Sequence, residues 1–291
     1  MNVKITVNRT DDIERFVREL VEQFPQHVLA IEGIDGFPPQ DNKVPKGKGI
    51  LVWQLDRVAN GDMKLFAEQA KDAGFKWVSI KVVERGNLYN PTRINAAITE
   101  LRALGISVRG WGYIYPENVI SQAQKTAKIV NDLGLDGYEM DIEQEWKVGN
   151  LTIQATQYAQ TLKSNLNAFA GIGLCSYRYP NLHPLPWKEF LAVCDYHAPQ
   201  VYWAGATTDT APASQMQKSR DQLIALKNIP FVPIGVAAPM PIGTVVWKPT
   251  VAQLNNFYTA ALQNGYPGMG YYEWTSAFPE TAWWNAIKAQ V

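Results

Sequence analysis

Histidine and cysteine are scarce in this chain, and neither sign of charge is in excess. Three histidines and two cysteines occur in 291 residues, and none of them carries the spacing of a metal centre, so no metal or other cofactor is expected. Cys175 and Cys194 fall on neighbouring predicted strands. They are too few for a disulfide framework and read as buried free thiols, with a single bridge as the alternative. Lysine plus arginine and aspartate plus glutamate each number 27, which removes the net field that would gather nucleic acid or an anionic membrane surface. No apolar run approaches the roughly 18 residues that a membrane span requires. The start, Met-Asn-Val-Lys-Ile-Thr-Val, lacks the basic region, apolar stretch and small-residue cleavage site of a secretory signal. The expected location is therefore cytoplasmic, virion-associated or reached by non-classical release. Gly-x-Ser-x-Gly is absent, which argues against a serine hydrolase. No glycine-rich phosphate loop follows the first strand, which argues against an open nucleotide-binding sheet.

What is present is apolar and periodic. At 46% hydrophobic and 19% charged residues, the chain can bury one large core. A phrase repeats along it: Ala73-Gly74-Phe75, Leu104-Gly105-Ile106, Leu133-Gly134-Leu135 and Asn264-Gly265-Tyr266 each close an amphipathic helix with glycine and open an apolar run. Eight strand candidates result: Ile50 to Asp56, Trp77 to Glu84, Ser107 to Tyr115, Leu135 to Glu143, Gly171 to Tyr177, Asp195 to Trp203, Phe231 to Ala237 and Gly268 to Trp274. Eight strand and helix units predict an α/β fold, a (β/α)8 TIM barrel over residues 49–291, with an open doubly wound sheet as the runner-up. Residues 1–48 do not fit the count. They predict a short N-terminal α/β appendage with strands near Val3 to Val7 and His27 to Glu32 around a helix from Asp11 to Glu22. It could be a lid, an edge packed on the barrel or a module for a protein partner. No flexible linker or low-complexity tract separates it from the barrel.

The strand Gly134-Leu-Asp-Gly-Tyr-Glu139-Met-Asp141-Ile-Glu143 constrains function most. Side chains alternate along a strand, so Glu139, Asp141 and Glu143 share one face while Tyr138, Met140 and Ile142 take the other. Like charges held close push at least one carboxyl upward, which sets a protonated acid beside an ionised one near neutrality. Barrel active sites lie at the C-terminal strand ends, and these ends carry Asp56, Lys81 and Glu84, Tyr113 and Tyr115, Asp141 and Glu143, Tyr177 and Arg178, Gln200 and Tyr202, and Trp274. Aromatic and hydrogen-bonding groups around acids suit a sugar, whose rings offer apolar faces and hydroxyls. The competing reading of each aromatic is a cap on the core. For Glu143 it is an ion pair with Lys81 or Arg109. Glu139, deeper in the barrel, would sit protonated among hydrogen bonds or pair with Lys81. Glu145 falls in the loop and is expected in solvent. His183, in a proline-rich loop after the fifth strand, could reach a sugar; His197 reads as core.

Asp136-Gly-Tyr-Glu139-Met-Asp141-Ile-Glu143 resembles the fourth-strand signature of the family 18 glycoside hydrolases, the chitinase family, Asp-Gly-x-Asp-x-Asp-x-Glu. Glu139 stands where that family has aspartate. Gln200-Val-Tyr202 is similar to its sixth-strand motif, and Trp274 to its eighth-strand tryptophan. The resemblance implies that Glu143 protonates the glycosidic oxygen, that Asp141 orients the substrate acetamido group, that Tyr202 hydrogen-bonds that group and that Trp274 floors the site. Trp53-Gln54, Ile80-Lys81 with Glu84, Gly112-Tyr113 and Asp141-Ile-Glu143 also resemble the family 25 lysozymes, whose first-strand aspartate is replaced by the region of Leu51 and Val52; Asp56 lies further along. Ser176-Tyr-Arg-Tyr-Pro180 and Pro199-Gln-Val-Tyr-Trp203 are similar to phrases of uncharacterised bacterial and phage barrels described as glycoside hydrolases.

The expectation is a glycosidase that cuts a β-linked polysaccharide containing N-acetylhexosamine, chitin-like or peptidoglycan. Glu143, Asp141, Glu139 and Tyr202 are the expected catalytic residues. Trp274, Gln200, Tyr113, Lys81, Tyr177, Arg178 and Asp56 are the expected substrate-binding residues. A barrel of another class, which binds glycan in a phage particle or cell-surface assembly without cutting it, is the alternative. A transferase on the same site is a third reading.

Overall fold

The structure, a computed structural model, describes residues 43–291. The strands near Val3 to Val7 and His27 to Glu32, the helix from Asp11 to Glu22 and the partner-binding role of residues 1–48 lie outside the described residues, save the last few of that segment. Eight parallel strands follow one another: β1 Gly47–Val52, β2 Trp77–Glu84, β3 Ser107–Tyr113, β4 Gly137–Asp141, β5 Gly171–Cys175, β6 in two pieces (Tyr196–His197 and Gln200–Val201), β7 Ile234–Val236 and β8 Gly268–Tyr272. Neighbours in sequence are neighbours in space, and β8 pairs back onto β1. Pro199, which cannot donate to a ladder, stands at the break in β6. The first piece of β6 pairs with β5 and the second with β7, and single bridges from Tyr177 to Gln200 and from His197 to Phe231 carry both pairings across the break. The sheet is thereby a closed (β/α)8 barrel, not the open alternative.

Helices α1 Met63–Asp72, α2 Ile94–Ala103, α3 Val119–Asp132, α4 Thr152–Asn165, α5 Trp187–Leu191, α6 Ala211–Leu226 and α7 Val251–Gln263 follow β1 to β7, and α8 Trp274–Ala277 and α9 Thr281–Ala289 follow β8. The repeated glycines do what the phrase predicts: Gly74, Gly105, Gly134 and Gly265, each just past a helix, hold φ between +60° and +75°, a conformation that costs a Cβ-bearing residue far more. Outward strand positions such as Ile50, Val78, Met140, Ile172 and Tyr271 fill the layer between sheet and helices. Inward positions alternate large with small. A Cβ at Gly137 would lie 1.9 Å from Arg109, and one at Gly49 would lie 2.1 Å from the Trp77 ring, so these glycines are the space in which the large side chains of the barrel floor sit.

Every strand but β2 stops sooner than expected, and three of these early ends bear on the site. After β1 the chain turns into a 3-10 segment, Leu55–Gly61. After β4 Glu143 is still extended, φ −128° and ψ −154°, before a short 3-10 turn at Gln144–Lys147. After β8 the helix begins at once with Trp274. Among the described residues no helix is long and apolar enough to cross a membrane. Both cysteines are free and buried.

Candidate active site

The alternating acids of β4 sort into two levels. Glu139 is at the floor. Its side chain accepts from Arg109 Nε at 2.9 Å and from the hydroxyls of Ser79 and Tyr196, and both Arg109 and Glu139 are buried. The Arg109 guanidinium also donates to Tyr196 Oη at 3.0 Å and to the Lys43 carbonyl at 3.1 Å. Burial works against the charge on Arg109, but Tyr196 and Glu139 outweigh it and raise its pKa. Glu139 is thus neither the partner of Lys81 nor a group at the mouth; the ion pair of the floor is Arg109–Glu139. Lys81 pairs instead with Glu84 at 2.6 Å. Three residues apart on a regular strand they would face opposite ways. A bulge in β2 between Lys81 and Val83 shifts the register against β3 and brings them together.

Asp141 and Glu143 lie at the mouth and are hydrogen-bonded to one another. Gln200 Nε2 bridges them, donating to Asp141 Oδ1 at 3.1 Å and to Glu143 Oε1 at 2.8 Å. Burial first, then Glu143 beside it, hold the Asp141 carboxyl well above the usual range, although Lys81 acts in the other direction. Burial raises Glu143 from 4.5 to about 7 against the lowering pull of Gln200, Asp141 and Lys147. The physical picture is two largely buried carboxyls side by side, each pushed upward, so that one of them can keep a proton near neutrality. Cys175, across the sheet from Asp141 in the β4–β5 register, accepts from Gln200 Nε2 at 3.7 Å, and burial, then the neighbouring Asp141, push its thiol up.

Aromatic groups flank this pair. Tyr202 is stacked on Tyr272 at 5.7 Å and 28°, its hydroxyl held protonated by burial and then by the neighbouring Cys175, Tyr272 and carboxyls. Lys81 Nζ lies 4.6 Å from the Tyr89 ring, 5.3 Å from Trp111 and 6.0 Å from Trp53. Trp53 is 42% exposed, an open apolar face on a charged rim. Beside Glu143 a cavity of about 410 Å³ is lined by Tyr113, Glu143, Gln144, Lys147, Tyr177, Leu182 and His183. Tyr113 donates to Glu145 Oε2 at 2.5 Å, so Glu145 is tied to a residue of this wall and is not a solvated loop acid. Arg178 packs its guanidinium over Tyr177 and Tyr179 at 4.9 and 4.8 Å.

Besides Glu139, expected among the catalytic residues and held at the floor, two expected substrate-binding residues are not brought to the site. Asp56, past the end of β1, is on the surface in an ion pair with Arg93 at 3.3 Å. Trp274 is 1% exposed. It packs edge-on to Phe66 at 4.7 Å and to Trp284 at 4.8 Å, in the layer between sheet and helices, because the helix that starts there ends the strand alternation. Tyr272, the last inward residue of β8, stands at the mouth in its place. It and Trp111 were legible only as inward positions of their strands. His197 donates its Nε2–H to the Lys227 carbonyl at 2.8 Å and is buried. Among the described residues no group of three or more His, Cys, Asp or Glu side chains is arranged to hold a metal.

No family model matches the chain, and no curated protein matches it in sequence. Solved structures do match in shape. A chitinase from Bacteroides thetaiotaomicron superposes with a TM-score of 0.64 at 13% identity, covering 85% of this chain and 96% of that one. The Bacillus cereus spore cortex-lytic enzyme SleL superposes with a TM-score of 0.61 at 10% identity over 98% of this chain and 86% of its own. A family GH18 chitinase from Cycas revoluta, solved in complex with allosamidin, gives 0.61 at 10% identity over 84% and 99%. At such identities the likeness establishes the fold: the described chain is a (β/α)8 barrel similar in shape to these enzymes.

Proposed function

We propose that this protein is a glycoside hydrolase acting on a β-linked glycan that contains N-acetylhexosamine, chitin-like or peptidoglycan. One observation carries the reading: two carboxyls at the mouth end of β4 are bridged by Gln200, and the outer one, pushed up by burial to about 7, borders the cavity. A carboxylic acid that keeps its proton near neutrality can give it to a glycosidic oxygen. Glu143 is the general acid. Asp141, hydrogen-bonded behind it, orients the substrate's own acetamido group and stabilises the charge that develops as that group attacks, an assisted route that needs no separate carboxylate nucleophile. Tyr202 hydrogen-bonds the acetamido oxygen, and the stacked Tyr202 and Tyr272 rings supply an apolar surface for the sugar. The chitinases and the cortex-lytic enzyme among the similar structures favour the same chemistry.

The test is release of reducing ends from N-acetylglucosamine oligomers, peptidoglycan and plain glucans, with wild type beside Glu143→Gln. Cleavage of one of the first two by wild type, lost in the variant, is expected. Binding of glycan by wild type without reducing ends would instead mark a barrel that binds but does not cut.

A further inference from the structure

His183 reaches the cavity from the loop after β5, and its environment has no structural purpose that the fold explains. The imidazole lies flat on Tyr177, ring centroids 5.4 Å apart at 28°, with the edge of Trp187 at 6.5 Å. The Trp187 indole N–H donates to the His183 carbonyl at 2.8 Å, which fixes the backbone. The side chain is only 7% exposed, yet its Nε2 has no hydrogen-bond partner among the described residues. Glu143 Oε2 is 3.8 Å away, too far for a hydrogen bond. Nor is this an ion pair. Burial and the nearby Lys147 lower the imidazole to about 4, so it is neutral at pH 7 and presents one donor or one acceptor at Nε2 according to its tautomer. A buried polar atom left without a partner is costly, and its position on the cavity wall beside the acid gives it a use.

We infer that His183 is a substrate-binding residue: its Nε2 hydrogen-bonds a hydroxyl or amide group of the sugar that lies against Tyr177 in the cavity beside Glu143. This rests on the glycosidase reading and deepens it by naming a recognition contact on the side of the site formed by the β5 loop. The bound group completes the partner set of Nε2 and sits within reach of Glu143, so that seating the sugar and aligning the acid are one event. The chemistry selected is an uncharged, hydrogen-bonding ring face, because a neutral imidazole offers no charge to recognise.

The experiment is binding of an N-acetylglucosamine tetramer and of soluble glycan strands from peptidoglycan by calorimetry. It uses Glu143→Gln protein to prevent turnover, with and without His183→Phe or His183→Gln. Phenylalanine keeps the stack on Tyr177 and removes the nitrogen. The expected result is affinity about tenfold weaker for the phenylalanine variant, as befits one lost hydrogen bond that leaves a buried partner unpaired. The melting temperature should be unchanged, and the glutamine variant should recover part of the loss. Equal affinity with and without the phenylalanine change overturns the inference while leaving the glycosidase reading intact. Equal weakening by both variants together with a fall in melting temperature assigns His183 to packing and also overturns it. If Glu143→Gln protein binds neither probe and wild type releases no reducing ends, both readings fall together.

Discussion

The floor and the mouth of the barrel are built from the same strand and the same chemistry, and they behave in opposite ways. Glu139 at the floor is surrounded: Arg109, Ser79 and Tyr196 all donate to it. Two residues on, Asp141 has chiefly Glu143, Gln200 and Cys175 for company, and Glu143 opens onto a cavity. A carboxylate given donors on every side is held as an ion pair and stabilises the barrel. A carboxyl packed beside another carboxyl and largely buried is pushed upward, which is what a general acid requires. The strand's alternation supplies three acids on one face, and depth in the barrel decides which of them borders the cavity.

The largest effect should come from breaking the floor. Arg109→Met leaves Glu139 buried without its cation, and loss of one partner of a buried pair costs about 3–5 kcal/mol. Chemical denaturation should register it, and a variant as stable as wild type would mean that the floor does not need the pair. At the mouth, Asp141→Asn should lower kcat on a cleavable oligosaccharide by about 10²-fold, the size of effect seen when a preorganised stabilising group is removed, with little change in unfolding free energy. That split between stability at the floor and rate at the mouth is the comparison itself, and a rate loss matched by an equal stability loss would erase it.

Smaller effects sharpen the contrast. Glu143 is raised in the folded protein from 4.5 to about 7, so between those values the folded state binds more protons than the unfolded chain. Stability should therefore be fully present below about 4.5 and decline as pH rises towards 7. Urea unfolding across that range should show a flatter profile for Glu143→Gln, and an identical slope in both proteins would contradict the raised carboxyl. Gln200→Ala removes the bridge between the two acids and should reduce kcat/KM about tenfold, as one lost hydrogen bond to a charged group does. A pH optimum unmoved by this change would show that Gln200 does not help to set the protonation of the pair.

Much of this was legible in the sequence, for identifiable reasons. Helix-closing glycines at 74, 105, 134 and 265 and eight apolar runs encode a barrel locally, and period-two alternation puts Asp141 and Glu143 on the inner face. What was not legible depends on where strands stop and on distant partners. Trp274 and Asp56 were carried to the mouth by extending strand alternation past the true ends of β8 and β1, where helical turns send them to the core and to the surface. Arg109 lies thirty residues before Glu139, and nothing local says that it serves the floor and not Glu143. Lys81 meets Glu84 only because of a bulge. Tyr272 was hidden beside the more conspicuous tryptophan two positions on. His183 could be suspected from its loop, but the loop's path over Tyr177 is a property of the fold.

The central claim, that Glu143 donates the proton that releases the leaving sugar, is tested most directly by changing how much the leaving group needs that proton. Glu143→Gln is assayed beside wild type on an N-acetylglucosamine tetramer and on a dinitrophenyl glycoside of N-acetylchitobiose, whose phenolate leaves without protonation. The tetramer should lose about 10²–10⁴-fold in kcat/KM, the usual worth of a general acid, while the activated glycoside loses much less. Equal losses on both substrates would contradict the assignment.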